Sequence, residues 1–494
     1  MRRQGWSELY AWQLDRASTV PIFRQIYMQV RTGVLAGSLA PGAALPSTRL
    51  MAEKLAVARA SVVAAYQQLL AEGYITGRSR SGTYVSEELA GVVLPVRRRL
   101  SPRPFKARSV PQPAQAFAEF TQSTAQVDER PFNTGRTLVD ARTVEVWRKL
   151  THQAISSLSP RDLGYSDPCG FIELRRSLCE YLRTARGVRC EPHQIVITTG
   201  TQHAIDIAIR VLLSPGDEVW VEDPGYFLTH RQLVLAKACL RAIPVDAEGI
   251  RIDQGLRISP KARAVFVTPS HQFPTGVQLS MARRLALLAW ARESGAYIIE
   301  DDYVSEFRYS GPPLASLQGL DEDERVIYVG TLNKALFPGL RLGYAVLPPA
   351  LLPAFVSARY LIDRQPPSLY QAVAAEFLRQ GHFTAHIRRM RVRYREQRDA
   401  LAAILASRAP RLLKVEVPDQ GMHLIAYLRN GVSDINIEGA ARARGLVVRA
   451  TSRFYLDASP RSGLMLGFSG FPRAAIVPAA VRLAALVAQP GLKH

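Results

Sequence analysis

The sequence predicts a multidomain protein: a small N-terminal α-helical unit of winged helix-turn-helix type, followed by a large α/β unit built on a mainly parallel sheet. Three observations predict it. Residues 19–86 carry three short apolar helix stripes closed by a basic hairpin. The stretch after them, to about residue 130, is rich in Pro and Arg. From residue 131 onward, short apolar runs alternate with amphipathic helical stretches. The boundaries expected are 15–86 for the head, 87–130 for a linker and 131–494 for the body, with a small C-terminal subdomain from about 386.

Composition bounds what such a chain does. Its 494 residues suffice for about two to four domains with large cores. Hydrophobic residues at 47% and charged residues at 21% exclude a disordered or collagen-like chain. Lys and Arg number 63 against 42 Asp and Glu, a net charge of +21. Residues 1–110 hold 16 of those cations and only 6 of the acids, which points to a polyanion such as nucleic acid as a partner. Cys169, Cys179, Cys190 and Cys239 have no C-x-x-C spacing and no His at zinc-finger distances. They read as buried free thiols, with no metal site. No run approaches the ~18 apolar residues of a membrane span, and Arg2-Arg3 is not followed by the apolar segment of a signal peptide. A soluble cytoplasmic protein with no membrane partner is expected.

In the head, Pro21–Leu39 opens on the residue favoured at a first helical position and carries Ile22, Ile26, Val30 and Val34 at spacings of four. Pro41-Gly42 turns the chain, and the hydroxyls of Ser47 and Thr48 can cap a second helix through Leu50 and Leu55. A turn at Val57-Ala58-Arg59 leads into a third helix, Ala60–Glu72, with Val62, Ala65, Tyr66 and Leu69 facing inward. Two strand-like pieces, Tyr74–Thr76 and Thr83–Val85, flank the basic Gly77–Gly82. Two helices joined by a tight turn and followed by a basic hairpin describe a DNA-binding motif.

The run LPSTRLMAEKLAVARASVVAAYQQLLAEGYITGRSRSGTYV resembles the GntR-type DNA-binding domain over its whole length, with L-P-S-x-R, R-x-x-V and G-Y-I…G-T-x-V in order. The start of the third helix, at Arg59 and Ser61, would enter the major groove, which alone displays a full base code to a helix. The resemblance implies Arg49 and Arg59 as the main contacts with a double-stranded operator, and a wing at Arg78, Arg80 and Thr83 reaching phosphate or the minor groove. The linker that follows has Pro95, Pro102, Pro104, Pro111 and Pro113 to keep it extended, and its Arg and Lys residues make it basic.

In the body, Gln194–Thr198, Glu218–Val221, Ala264–Thr268, Ala296–Glu300, Val326–Val329 and Leu342–Leu347 are apolar runs, several separated by helical stretches such as Met281–Ser294. Near-continuous apolar strands with intervening helices imply a parallel sheet covered on both faces. Ligands of such sheets gather at the carboxyl ends of the strands. There the chain places Thr199–Gln202 before a helix, an anion site by geometry. It also places Glu222–Tyr226, TPSHQFPTG, IIEDDY and YVGTLNKALFPGLRLGY there. A lysine, an acid, two tyrosines and an anion site are the equipment that pyridoxal phosphate requires.

Residues 131–470 resemble a fold-type I aminotransferase domain through YSDPCGFIELR, ITTGTQHAI, VEDPGY, PSHQFPTG, EDDY and NKALFPGLRLGY, in the expected order. With the GntR-type head, the whole chain resembles the MocR/GabR-type transcriptional regulators. That resemblance implies pyridoxal 5'-phosphate as cofactor, with Lys334 as the Schiff-base residue of an internal aldimine. It places Asp301, or its neighbour Asp302, against the pyridine nitrogen, Tyr303 on the ring hydroxyl and Tyr226 stacked on the ring. Thr201, Gln202 and Arg341 would lie near the phosphate. It also implies a homodimer.

Three positions depart from the enzyme pattern. Phe273 stands where aminotransferases supply an Asn to the cofactor hydroxyl, a change the regulators share, and Asn333 precedes the lysine where Ser is commoner. Met465 occupies the place of the Arg that binds a substrate α-carboxylate, and a thioether makes no bidentate charge-assisted pair. Arg449 or Arg453 could substitute. The reading is a regulator that senses a small-molecule effector, an amine, an amino acid or pyridoxal phosphate itself, rather than an enzyme with net turnover. An active aminotransferase with an accessory head, and a DNA-binding protein whose body only dimerises, are the alternatives.

Overall fold

The computed structural model describes residues 14–78, 82–89, 129–160, 162–312, 314–429 and 431–489, together with residues 111, 114, 115, 117 and 118. Most of the linker therefore lies outside the described residues. The chain divides into two compact units, Met1–Ala125 and Gln126–His494.

In the first unit, helix α1 (Ile22–Leu35) buries Ile26, Tyr27, Val30 and Val34. Strand β1 is only Ala44–Leu45. Helix α2 (Thr48–Leu55) is capped by Ser47, whose hydroxyl accepts from the Leu50 N–H at 3.2 Å. Helix α3 (Arg59–Ala71) buries Val62, Ala65, Tyr66 and Leu69, the face read from the sequence. The turn between α2 and α3 falls one residue earlier than expected, at Ala56–Ala58, because Ala56 takes a left-handed conformation with φ +50° and Arg59 already opens α3. Strands β2 (Ile75–Arg78) and β3 (Gly82–Val85) form the wing, and β1 joins β3 to give the order β1-β3-β2.

The second unit is built on an eight-stranded sheet of order β4-β11-β10-β9-β8-β5-β6-β7. Its strands are β4 (Ile195–Thr198), β5 (Glu218–Asp223), β6 (Cys239–Asp246), β7 (Gly249–Ile250), β8 (Ala264–Val267), β9 (Tyr297–Asp302), β10 (Val326–Thr331) and β11 (Gly343–Val346). Pairing is parallel from β10 through β9, β8 and β5 to β6. β11 runs antiparallel between β10 and β4, and β7 folds back on β6. β6 was not among the runs expected from sequence, because Arg241 and Pro244 interrupt its apolar character and most of it is only half-buried. Its first residue, Cys239, is exposed and Cys169 is half-buried, so only Cys179 and Cys190 are the buried thiols expected.

Beneath the sheet, Trp220 of β5 stacks on Trp290 of the helix Met281–Ser294, with ring centroids 3.9 Å apart. After the long helix His382–Arg408 comes a second, antiparallel sheet of order β12-β13-β15-β14. It comprises β12 (Leu413–Glu416), β13 (His423–Leu428), β14 (Arg449–Ala450) and β15 (Gly463–Gly467). No helix among the described residues is long and apolar enough to cross a membrane.

Candidate functional site

The carboxyl ends of β4, β5, β8, β9 and β10 lie along one edge of the large sheet and open into a cavity of about 280 Å³. Lys334, Asp301, Tyr303, Tyr226, Thr201, Gln202 and Arg341 all line it. They are spread over 141 sequence positions, and parallel pairing is what gathers them, since successive parallel strands all end on the same side.

After β4, Gly200 adopts φ +127°, and a Cβ there would sit 3.0 Å from the Asn333 amide nitrogen and 3.6 Å from the Arg341 guanidinium. Glycine is required at that conformation. It delivers the chain into the helix Thr201–Leu212, whose unpaired first-turn N–H groups border the cavity beside Arg341. The Asn333 side-chain Oδ1 accepts from the Leu342 N–H at 2.8 Å and so fixes the loop carrying Arg341. That role for Asn333 was invisible in the sequence, where it read as the loss of a hydroxyl.

β9 separates its two aspartates by strand alternation, which turns successive side chains to opposite faces. Asp301 faces the cavity, and its Oδ1 is buried without a hydrogen-bond partner. Asp302 faces the other way, where its Oδ2 accepts from Arg186 Nε at 2.8 Å and from the Tyr328 hydroxyl at 2.7 Å. Burial, and then the charges of Asp302 and Glu222, push the Asp301 carboxyl up to about 7. Glu222 is likewise pushed up to about 7 by burial, against hydrogen bonds donated by Thr268 and Gln272.

Lys334 follows β10 on a short loop. Burial, and then the charge of Arg449, push its amine down to about 8. Burial raises the hydroxyls of Tyr226 and Tyr303 above the usual phenol range. The Tyr303 hydroxyl donates to the His271 carbonyl at 3.1 Å. Phe273 packs edge-on against Tyr226 at 5.2 Å and Phe454 at 5.3 Å, so the position that departs from the enzyme pattern is an apolar wall. Thr134, Gly135, Thr268 and His423 also line the cavity and were not singled out from the sequence. Arg449 lines it too, whereas Arg453 lies 2.6 Å from Glu438 and is 57% exposed.

In the head, Arg49 and Arg59 are exposed and Ser61 is half-buried. Arg59 Nε donates to the Thr48 hydroxyl at 3.3 Å, tying the first residue of α3 to the first residue of α2. Arg78 at the end of β2 lies 2.8 Å from Glu87 and over the Tyr84 ring at 4.9 Å, and Thr83 is half-buried. Arg80 lies outside the described residues.

Residues 130–463 match the family described as aminotransferase class I and II, and residues 23–85 match the bacterial regulatory proteins of the gntR family. Over 461 residues the chain is 38% identical to the probable rhizopine catabolism regulatory protein MocR of Rhizobium meliloti, covering 92% of each chain. It is 31% identical to the HTH-type pyridoxine biosynthesis transcriptional regulator PdxR of Corynebacterium glutamicum, covering 90% of this chain and 91% of that one. Among solved structures, an archaeal alanine:glyoxylate aminotransferase is 28% identical with a TM-score of 0.67, covering 76% of this chain and 95% of that one. The class is thus a DNA-binding transcriptional regulator with a winged helix head and a fold-type I aminotransferase body, a fold family that depends on pyridoxal phosphate. The chain belongs to the MocR-type regulators of the GntR family.

Proposed function

We propose that this regulator binds pyridoxal phosphate in the body cavity and uses it to sense a small effector, an amine or the cofactor itself, that alters control of an operator by the head. The observation that carries the reading is the pairing of the half-buried Lys334 with the buried, unpartnered Asp301 carboxylate in one cavity beside a helix N-terminus.

The residues fit the cofactor chemically. An orphaned buried carboxylate is costly until a cation faces it, and a protonated pyridine nitrogen is such a cation. The backbone of Gly200 leaves room that a side chain would fill, next to the donors a phosphate takes. When bound, pyridoxal phosphate supplies an aldehyde and an electron-withdrawing ring. Lys334 is the amine that engages the aldehyde, and its lowered affinity for protons keeps a usable fraction neutral near pH 7 to 8. Asp301 holds the proton at the ring nitrogen. Thr201, Gln202 and Arg341 bind the phosphate, Tyr226 and Phe273 exclude water from the ring's surroundings, and Tyr303 orients the ring hydroxyl.

An effector acts only through different affinities for two arrangements of the protein. In the head, Arg59 and Ser61 read base edges and Arg49 and the wing hold phosphate. A homodimer is supported by large apolar side chains left exposed on the body, Leu163, Tyr165 and Leu361, which are 75%, 81% and 85% exposed.

The test is the absorbance spectrum of the purified protein with pyridoxal phosphate, followed by borohydride reduction and peptide mapping. The expected result is one modified residue, Lys334. Absence of an adduct, with operator binding intact, would leave the body as a dimerisation unit. Steady turnover of amino donors would instead support the aminotransferase reading.

A further inference from the structure

We infer that His423 accepts a hydrogen bond from a hydroxyl on the effector, so that this regulator distinguishes hydroxyl-bearing amines from plain alkylamines. The inference rests on the cofactor-sensing reading above and names a feature of the effector's chemistry.

His423 opens β13 and lines the cavity, yet it is only 4% exposed. Its Nε2 lies 2.9 Å from the Pro274 carbonyl oxygen. A carbonyl only accepts, so Nε2 carries the proton and donates it. Burial pushes the imidazole down to about 4, which keeps the ring neutral and leaves Nδ1 as a bare lone pair. Nδ1 has no hydrogen-bond partner among the described residues. Two rings hold the imidazole edge-on, Phe273 at 5.8 Å and His271 at 5.0 Å. His271 supplies no donor, since neither of its own ring nitrogens is hydrogen-bonded.

A buried acceptor without a donor is costly, and the cost is recovered when a ligand brings one. The surroundings select the kind of donor. The charge of Lys334 reaches the imidazole, so a short molecule whose amine engages that lysine also reaches His423. Arg449 borders the same cavity, and its charge acts on Lys334 and Tyr226. That positive field disfavours a second ammonium as the donor, whereas a neutral hydroxyl meets no such penalty. Farther along the same face of the small sheet, Ile425 and its cross-strand partner Met465 are buried and apolar. Neither competes with His423 for the hydroxyl.

The experiment compares matched ligands. Full-length protein loaded with pyridoxal phosphate is titrated with 3-aminopropan-1-ol against butylamine, and with 4-aminobutan-1-ol against pentylamine. Members of a pair differ only by a hydroxyl in place of a methyl. The midpoint of the spectral change at Lys334 is read for wild type, H423F and H423Q. Phe keeps a ring without an acceptor, whereas Gln can donate to Pro274 and still offer its carbonyl oxygen. The expected result is a wild-type preference for the amino alcohol of about 3- to 10-fold in at least one pair, lost in H423F and partly kept in H423Q. Alkylamine midpoints should be unchanged or lower in H423F. Equal midpoints within both pairs in wild type overturn the inference without recourse to a variant. A preference that survives H423F, or is lost equally in H423Q, overturns it too, and all three results leave amine sensing intact. A protein that takes up cofactor but responds to none of the four ligands overturns amine sensing as well, and failure to take up cofactor overturns the reading beneath both.

Discussion

The head and the body place the cations proposed for DNA and for the cofactor in opposite physical situations. Arg49 and Arg59 stand exposed on short helices within 11 positions of each other, while Lys334 is enclosed in a cavity whose walls come from segments between Thr134 and Arg449. An exposed arginine near DNA needs only a rigid helix beneath it, which the α1–α3 core supplies through Val62, Ala65, Tyr66 and Leu69. A lysine enclosed in a cavity needs its whole surroundings arranged so that desolvation tunes it, here down to about 8. The lesson is that changes in the head should act through contact alone, whereas changes in the body should mix chemistry with stability.

The sharpest break is K334A. It should abolish the borohydride-trapped adduct completely and leave the DNA affinity of cofactor-free protein close to wild type. Next, the adjacent aspartates should separate. Asp302→Asn leaves the buried Arg186 without its counterion, a loss of about 3 kcal/mol or more in a denaturant titration. Asp301→Asn removes a buried, unpartnered carboxylate and should raise the melting temperature of cofactor-free protein at pH 8 while weakening cofactor uptake. Similar losses of stability in both variants would refute the separation.

Arg59→Ala should weaken operator binding by about 10- to 100-fold and relax sequence preference, with the cofactor spectrum untouched. A smaller effect comes from pH. Lys334 is protonated below about 8, so the rate of cofactor uptake should rise with pH, by up to about tenfold per unit, and level off above 8. The same shift works against the fold at low pH. Between about 8 and the ordinary lysine value the unfolded chain still holds that proton, so this residue's contribution to stability improves as pH rises. A flat rate profile from pH 6 to 9 would show that a group other than Lys334 limits uptake. The smallest effect belongs to Arg78→Ala, whose partner Glu87 is exposed; stability should change by less than about 1 kcal/mol.

Much of this was legible along the chain. Helix stripes in the head and apolar runs in the body are local patterns, and their periods fall directly into buried faces. The strand ends after β4, β5 and β10 were equally readable, because turn residues and a helix cap mark them. What stayed hidden depended on partners remote in sequence. β6 escaped because Arg241 and Pro244 disguise a strand that its neighbour β5 holds in register. Asn333 looked like a lost hydroxyl, and its clamp on the Arg341 loop appears only when Leu342 folds back beside it.

The sequence by itself determined the two fold classes, their order, and the residue types offered to the cavity, since periodicity and turn chemistry act over a few residues. Only the tertiary structure decided which aspartate faces inward, because strand alternation needs a sheet to define its two faces. It likewise decided that Arg449 rather than Arg453 borders the cavity. Glu438 engages Arg453 and strand pairing turns Arg449 inward, and neither fact is written in the spacing of the two arginines.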